Sequence, residues 1–116
     1  MKMTLDTFIQ KLKTNPKTIG FSETMAVIDS NYAFTPTAFK NGTLENAEGQ
    51  NSGSCKLFAF AKEQNLNKDE ALACFGSYYY DDVLKDAEGT GHQNIRNFMK
   101  SGFDGLSFSQ DPLKKK

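Results

Sequence analysis

The chain has 116 residues, and its fourteen acidic and fourteen basic side chains give a formal net charge of zero at neutral pH. This length is common for one domain, so we expect a single domain over residues 1–116. A neutral chain argues against nucleic-acid binding, which needs a clustered basic face. No run approaches the roughly eighteen apolar residues that span a membrane. Composition and charge therefore predict a globular domain with neither a membrane span nor a nucleic-acid partner.

The first third of the chain predicts two helices. Thr4 is the expected N-cap of a helix whose apolar residues recur at helical spacing up to Leu12. Asn15-Pro16 ends this helix, because the residue before a proline is pushed out of the helical region. Ser22 is the expected cap of a second helix, in which Ile28 points inward.

The dipeptide Asn41-Gly42 predicts a short β-hairpin. Asn-Gly favours the positive φ angles of a type I′ turn, so both residues are expected at the central turn positions. The stretch 46–54 is rich in Gly, Asn and Ser and indicates a loop. A third helix is then expected over about residues 55–64.

The second half of the chain predicts two more helices and a strand. Asn67 is the expected cap of a helix whose 3.6-residue period extends to Tyr79, and Gly76 within it indicates close packing or a bend. A last helix ends near Gly102, and residues 106–109 alternate as in a short strand. Residues 114–116 are three lysines and are expected to form a frayed tail.

These patterns predict an α+β fold that is rich in helix, with about five helices around one core and a minor hairpin at Asn41-Gly42. Large apolar side chains that recur at helical spacing should form that core. The residues expected to be mostly buried are Leu5, Phe8, Leu12, Ile28, Phe58, Leu72, Phe75, Ile95 and Phe98.

The cysteine content and the N-terminus bear on location and metal binding. Two cysteines, Cys55 and Cys74, are too few for a disulfide scaffold and indicate a reducing, cytoplasmic environment. Residues 1–12 are amphipathic and charged, so no signal peptide is expected. The cysteines and His92 lack metal-ligand spacing, and the adjacent Asp81 and Asp82 are more often solvated. We therefore expect neither a metal nor a cofactor.

The loop at residues 50–56 suggests a thiol-dependent enzyme as one hypothesis. It delivers Cys55 to the start of a predicted helix, where unpaired N–H groups and the helix dipole favour the reactive thiolate. The only histidine, His92, can serve as the base, with Asn94 or Asp104 orienting it. The simpler interpretation is a cysteine packed under the helix, with Ser54 as an ordinary N-cap.

The same loop suggests an anion- or metabolite-binding site as a second hypothesis. Backbone amides at a helix N-terminus can form a nest for an anion, with a lysine close by. The loop lacks the Gly-Lys-Ser/Thr ending of a Walker A motif. The candidate ligand-binding residues are Gln50, Asn51, Ser52, Gly53, Ser54 and Lys56.

Other polar residues are expected to be mainly structural. Asparagine favours turns and helix caps for local reasons. The set comprises Asp29, Asn31, Tyr32, Asn41, Asn46, Asn51 and Asn94. Tyr78, Tyr79 and Tyr80 are consecutive and cannot share one helical face, so some of them are expected to be half-exposed.

Four long runs, at residues 26–42, 49–58, 73–79 and 92–99, carry a family pattern together with Phe103-Asp104-Gly105. They include AVIDSNYAFTPTAFKNG, GQNSGSCKLF, ACFGSYY and HQNIRNFM. Over nearly the whole chain, they resemble the HopJ family of type III effector-like bacterial proteins, although Phe103 stands where the family has Trp. The resemblance brings no established catalytic residues.

The resemblance implies a bacterial protein that type III secretion delivers into host cells. It favours an interaction module that acts on a host or bacterial protein without turnover. The expected location is the bacterial cytoplasm, with secretion into the host as the implied destination. No pattern in the sequence specifies an oligomeric state.

Overall fold

The structure is a computed structural model that describes residues 4–116, and it confirms the α+β class. The helices are α1 (Leu5–Thr14), α2 (Phe21–Asn31), α3 (Ser52–Glu63), α4 (Lys68–Ala73) and α5 (Gln93–Ser101). A π-helical segment, Tyr78–Val83, lies between α4 and α5, and 3₁₀ turns cover Pro16–Thr18 and Gly102–Gly105. The strands are β1 (Tyr32–Phe34), β2 (Phe39–Asn41), β3 (Leu44–Asn46), β4 (Leu106–Phe108) and β5 (Leu113–Lys115).

The strands form two small antiparallel sheets. One has three strands in the order β3-β2-β4, and the other pairs β1 with β5. The strand predicted at residues 106–109 is therefore present as β4, Leu106–Phe108. The prediction of a frayed lysine tail is wrong, because β5 includes Lys114 and Lys115, and the Lys116 N–H donates to the Asn31 carbonyl at 3.1 Å. Backbone pairing overrides the charge of this segment.

One hydrophobic core connects the helices to the three-stranded sheet. Of the nine residues predicted to form it, eight are buried, and Leu5 is half-buried against their cluster. Phe58 of α3 is central, since its ring lies 4.8 Å from that of Phe98 and 5.5 Å from that of Phe75. The aromatic residues thus fill the interior between α3, α5 and the end of α4.

The hairpin is present, but its register differs by one residue from the prediction. Asn41 pairs with Leu44, so Gly42 and Thr43 occupy the turn. Gly42 has the positive φ, 63°, whereas Asn41 does not. Glycine first in a two-residue loop is typical of type II′ rather than type I′. The predicted turn position of Asn41 is wrong because its side chain is fully buried, where it bonds to Asn94.

Two helix caps follow the predicted chemistry and one does not. The Thr4 hydroxyl accepts from the Thr7 N–H at 3.1 Å, and the Asn67 side chain accepts from the Glu70 N–H at 2.8 Å. Ser22 is not a cap, because it lies inside α2, which already begins at Phe21. The N-cap of α2 is Gly20, whose N–H donates to the side chain of Glu23 at 3.2 Å.

Helix α3 begins three residues earlier than predicted. Its N-cap is Asn51, which has the left-handed conformation φ 53°, ψ 44°. Ser54 is therefore inside the first turn and is not the N-cap. Cys55 follows at the next position, and its N–H already donates to the Asn51 carbonyl at 3.0 Å.

The chain bends sharply at Gly76, as its position in the predicted helix suggested. Its φ is +62°, and a Cβ there would lie 2.9 Å from the Ile19 carbonyl oxygen and 3.0 Å from the Phe21 nitrogen. Helix α4 consequently stops at Ala73, and Tyr79 belongs to the π-helical segment. The bend brings Tyr78 beside Phe21, with ring centroids 5.3 Å apart.

Candidate functional site

The N-termini of α3 and α5 meet at one cleft with a volume of about 520 Å³. This volume lies within the range of small-molecule sites. Apolar rings, first-turn residues of both helices and the single histidine contribute to the walls. The lining residues are Phe21, Leu44, Asn51, Gly53, Ser54, Phe75, Tyr78, His92, Gln93, Asn94 and Ile95.

The N-terminus of α3 carries no side-chain cap. An N-cap asparagine usually has an extended backbone and accepts from a first-turn N–H of its own helix. Asn51 instead is left-handed, and its Nδ2 donates to Asn46 Oδ1 at 2.6 Å. Within the described chain, the N–H groups of residues 52–54 have no hydrogen-bond acceptor. Of these three donors, those of Gly53 and Ser54 belong to residues that line the cleft and remain available to a ligand there.

The N-terminus of α5 has the same unusual construction. Its N-cap is His92, also left-handed at φ 55°, ψ 51°, and no side chain caps the helix. The first intrahelical bond runs from the Arg96 N–H to the His92 carbonyl, so the N–H groups of residues 93–95 lack acceptors among residues 4–116. A left-handed non-glycine residue is uncommon in proteins. Two of the three in the described chain are these N-caps.

Aromatic rings form one side of the cleft. The Phe21 and Phe75 rings stack with centroids 6.1 Å apart and planes at 6°. The Tyr78 ring lies edge-on to Phe21 and 5.2 Å from the ring of His92. Phe75 is buried and Tyr78 is 42% exposed, so this wall runs from the core to solvent.

Asp82 holds the His92 side chain in this site. Its Oδ2 lies 3.2 Å from His92 Nε2. Asn94, proposed from sequence as a partner that orients the histidine, uses its side chain elsewhere, in bonds to Asn41 and Asn46. The sequence does not predict this contact, because nothing local indicates that the π-helical segment carries Asp82 to His92.

Cys55 does not line the cleft. Its side chain is buried, and Sγ lies 3.8 Å from the Thr37 carbonyl oxygen. Burial raises the pKa of the Cys55 thiol to about 11 and that of the Cys74 thiol to about 12. Both thiols are therefore protonated at neutral pH, which is the opposite of what a nucleophile needs.

The residues of the 50–56 loop divide between the cleft and other surroundings. Asn51, Gly53 and Ser54 line the cleft, where they meet His92 and Asn94. Lys56 points away, since its Nζ pairs with Asp29 Oδ1 at 2.9 Å and lies over the Phe34 ring. The Gln50 side chain accepts from the Ala47 N–H, and Ser52 starts α3 without lining the cleft.

The sequence did not indicate the aromatic wall. Phe75 was assigned to the core, and Phe21 and Tyr78 were assigned no role in a site. They meet because of the bend at Gly76, which is a tertiary feature. In the part of the chain that the structure describes, no three His, Cys, Asp or Glu side chains are grouped as metal ligands, and no helix is long and apolar enough to cross a membrane.

Fold and site together define a small α+β domain with a cleft between two helix N-termini. The sequence model of one family, described as HopJ type III effector protein, matches residues 5–113. The chain belongs to the HopJ family.

A solved structure described as "Crystal structure of unknown function protein VPA0580" is similar to the whole chain. Its sequence is 49% identical, the TM-score is 0.97, and the match covers 100% of this chain and 97% of that one. No curated protein matches the chain. The fold is therefore shared closely with a solved protein that is itself described as being of unknown function.

Proposed function

We propose that this protein binds a small anionic group, phosphoryl or carboxylate, carried on an aromatic ring. The observation behind the proposal is the convergence of two helix N-termini without side-chain caps on one cleft. Binding without turnover fits the interaction module that the family resemblance favours. It also develops the hypothesis of an anion site on the 50–56 loop.

The first-turn N–H groups supply the anion-binding chemistry. Six such groups, from residues 52–54 and 93–95, belong to the two helix starts and lack acceptors within residues 4–116. All of them except that of Ser52 belong to residues that line the cleft. Each helix start also carries a partial positive charge that favours an anion. No lysine or arginine of the described chain lines the cleft. Recognition therefore relies on directed N–H donors and on His92.

The aromatic wall supports a ring as the carrier of the anion. Phe21, Tyr78 and His92 present ring faces or edges beside the helix starts. Aromatic pairs in offset or edge-to-face contact add about 0.5–1.5 kcal/mol beyond the area they bury. A purely ionic ligand would leave this apolar surface in contact with water.

Calorimetric titration with four probes tests the proposal: phenyl phosphate, benzoate, inorganic phosphate and phenol. We expect the two aromatic anions to bind more tightly than either inorganic phosphate or phenol, since only they use both parts of the cleft. Equal binding of phenol and phenyl phosphate, or no binding of any anion, would contradict the proposal.

A pair of charge variants localises the binding. Ser54→Glu puts a carboxylate at the third position of α3, where it competes for the same N–H groups. We expect it to weaken phenyl phosphate binding by at least about tenfold, equivalent to the loss of one charged hydrogen bond. Ser109→Glu makes the same charge change on an exposed residue outside the cleft and should leave binding unchanged.

The family match supports a second, cellular part of the proposal, that a bacterium delivers this protein through type III secretion. Before delivery, the protein would be in the bacterial cytoplasm. After delivery, its ligand would be a host molecule. The thiol-dependent alternative gains no support, because Cys55 is buried and its pKa is raised.

Secretion is tested in a bacterium with a functional type III system and in its secretion-defective counterpart. The full chain with a C-terminal reporter should appear in the medium, or inside host cells, only with the functional system. Equal release from both strains would contradict delivery by this route, whatever the result of the ligand titrations.

A further inference from the structure

A group of asparagine side chains connects the hairpin to both helix starts of the cleft. Asn46 Oδ1, at the end of β3, accepts from Asn51 Nδ2 at 2.6 Å and from Asn94 Nδ2 at 3.1 Å. Asn46 Nδ2 donates to Asn94 Oδ1 at 3.2 Å. Asn41 Nδ2 donates to the Asn94 carbonyl at 2.7 Å and to its Oδ1 at 3.0 Å. One oxygen of Asn46 therefore contacts the N-cap of α3 and the first turn of α5.

This asparagine group is costly to bury. Asn41, Asn46 and Asn94 are exposed by only 0%, 3% and 6%. Buried amides cost free energy unless each polar atom has a partner, and Asn41 Oδ1 has none among the described residues. Apolar side chains of similar size would avoid that cost. The other side-chain amide atoms of these three asparagines all have partners, so the unpaired Asn41 Oδ1 is the uncompensated cost of the group.

The bond to Asn46 keeps the Asn51 side chain away from its own helix. At an N-cap, the oxygen of an asparagine side chain normally accepts from a first-turn N–H. Asn67 does so at the start of α4, whereas Asn51 makes no such bond. The difference leaves the α3 donors open towards the cleft.

We propose that Asn46 is a positioning residue of the anion site, an inference that rests on the proposed function. Its amide oxygen holds Asn51 in a conformation that does not cap α3. Without this hydrogen bond, Asn51 leaves its left-handed backbone for the extended conformation of an ordinary N-cap, in which its side chain occupies the donors that the anion needs. Asn46 thus acts on affinity through Asn51 and without touching the ligand.

A double-mutant cycle with phenyl phosphate as the probe tests this role. The four proteins are the wild type, Asn46→Ala, Asn51→Gly and the double variant. Glycine is chosen at position 51 because it adopts the left-handed φ of 53° without strain. We expect Asn46→Ala alone to weaken binding by about tenfold, the equivalent of about 1.4 kcal/mol. In the Asn51→Gly background, the same change should alter binding by less than about twofold, because the competing side chain is gone.

The outcomes of the cycle distinguish a failure of the Asn46 inference from a failure of the proposed anion site. If the wild type binds phenyl phosphate but Asn46→Ala costs the same factor in both backgrounds, Asn46 does not act through Asn51 and the inference is wrong. No binding by the wild type overturns both proposals. Asn46→Ser, which removes less volume, replaces the alanine variant in the cycle if thermal unfolding shows that the latter does not fold.

Discussion

Burial governs the chemistry of both cysteines. Cys55 packs inside α3 near the Thr37 carbonyl, and Cys74 lies just after α4, where Thr24 donates to its carbonyl oxygen. Both thiols are free and buried, and their pKa values are raised to about 11 and about 12. These surroundings favour the neutral thiol, which is the poorly reactive form.

Alkylation measures this protection directly. We expect iodoacetamide at pH 8 to modify Cys55 and Cys74 far more slowly in the folded protein than in urea, because both must become exposed first. Mass spectrometry of peptides after timed quenching gives the two rates. Rapid modification of Cys55 in the folded state would show that its thiol is accessible and would revive the nucleophile hypothesis.

The raised thiol pKa values also predict how stability depends on pH. In the unfolded chain the thiols ionise near their ordinary pKa of 9.0, whereas in the folded protein they stay protonated to about 11 or 12. Their contribution is therefore complete below pH 9 and is lost as pH rises towards the folded pKa values. Urea unfolding at increasing pH should show a falling free energy of unfolding above pH 9. A flat profile up to pH 11 would contradict the burial of the thiols.

Asp82 places a negative charge beside His92, at the edge of the cleft. Its carboxylate lies 3.2 Å from the histidine nitrogen, and its negative charge opposes an incoming anion. We expect Asp82→Asn to tighten phenyl phosphate binding by about two- to threefold, the range expected of one partly screened charge. Asp81→Asn is the control, because Asp81 pairs with Lys85 and not with His92. An equal effect of the two variants would show only a general charge effect.

At the scale of elements, local chemistry predicted where most helices lie but not how α3 and α5 begin. Thr4 and Asn67 cap their helices with their own side chains, so the sequence signal is sufficient. Asn51 and His92 are caps held in left-handed conformations, and the bonds of their side chains run to Asn46 and Asp82. Those partners are not neighbours in a helical pattern, so periodicity does not reveal them.

One methyl group added at Gly76, in the bend after α4, should strongly lower the stability of the fold. Gly76→Ala should lower the free energy of unfolding by about 2 kcal/mol or more, because φ is positive and the new Cβ meets backbone atoms of residues 19–21. Gly91→Ala is the control, since a Cβ there has no neighbour within 4 Å and should change stability by less than about 0.5 kcal/mol. Chemical denaturation of both variants gives the comparison. Equal stability would mean that the chain does not pass this closely at Gly76.

At the scale of the whole molecule, the core was predictable from residue pattern and the site was predictable only in part. The periodic apolar residues are the ones that pack, because helical spacing alone places them on one face. The cleft joins residues from α2, the loop before α3, the segment after Gly76 and the start of α5. The sequence predicts three of its pieces as site residues: part of the 50–56 loop, His92 and Asn94. The hypothesis that linked the loop to His92 was a Cys55 nucleophile with a histidine base, but the Cys55 side chain is buried in the core.

In the proposed function, one anion binds between the two helix starts. Two-dimensional ¹H–¹⁵N spectra recorded during titration with phenyl phosphate test it most directly, because the proposed donors are themselves backbone amides. We expect the amides of residues 53, 54 and 93–95 to shift together and to reach saturation with one dissociation constant. Shifts confined to one helix start, different constants for the two, or no shift at either would contradict the claim.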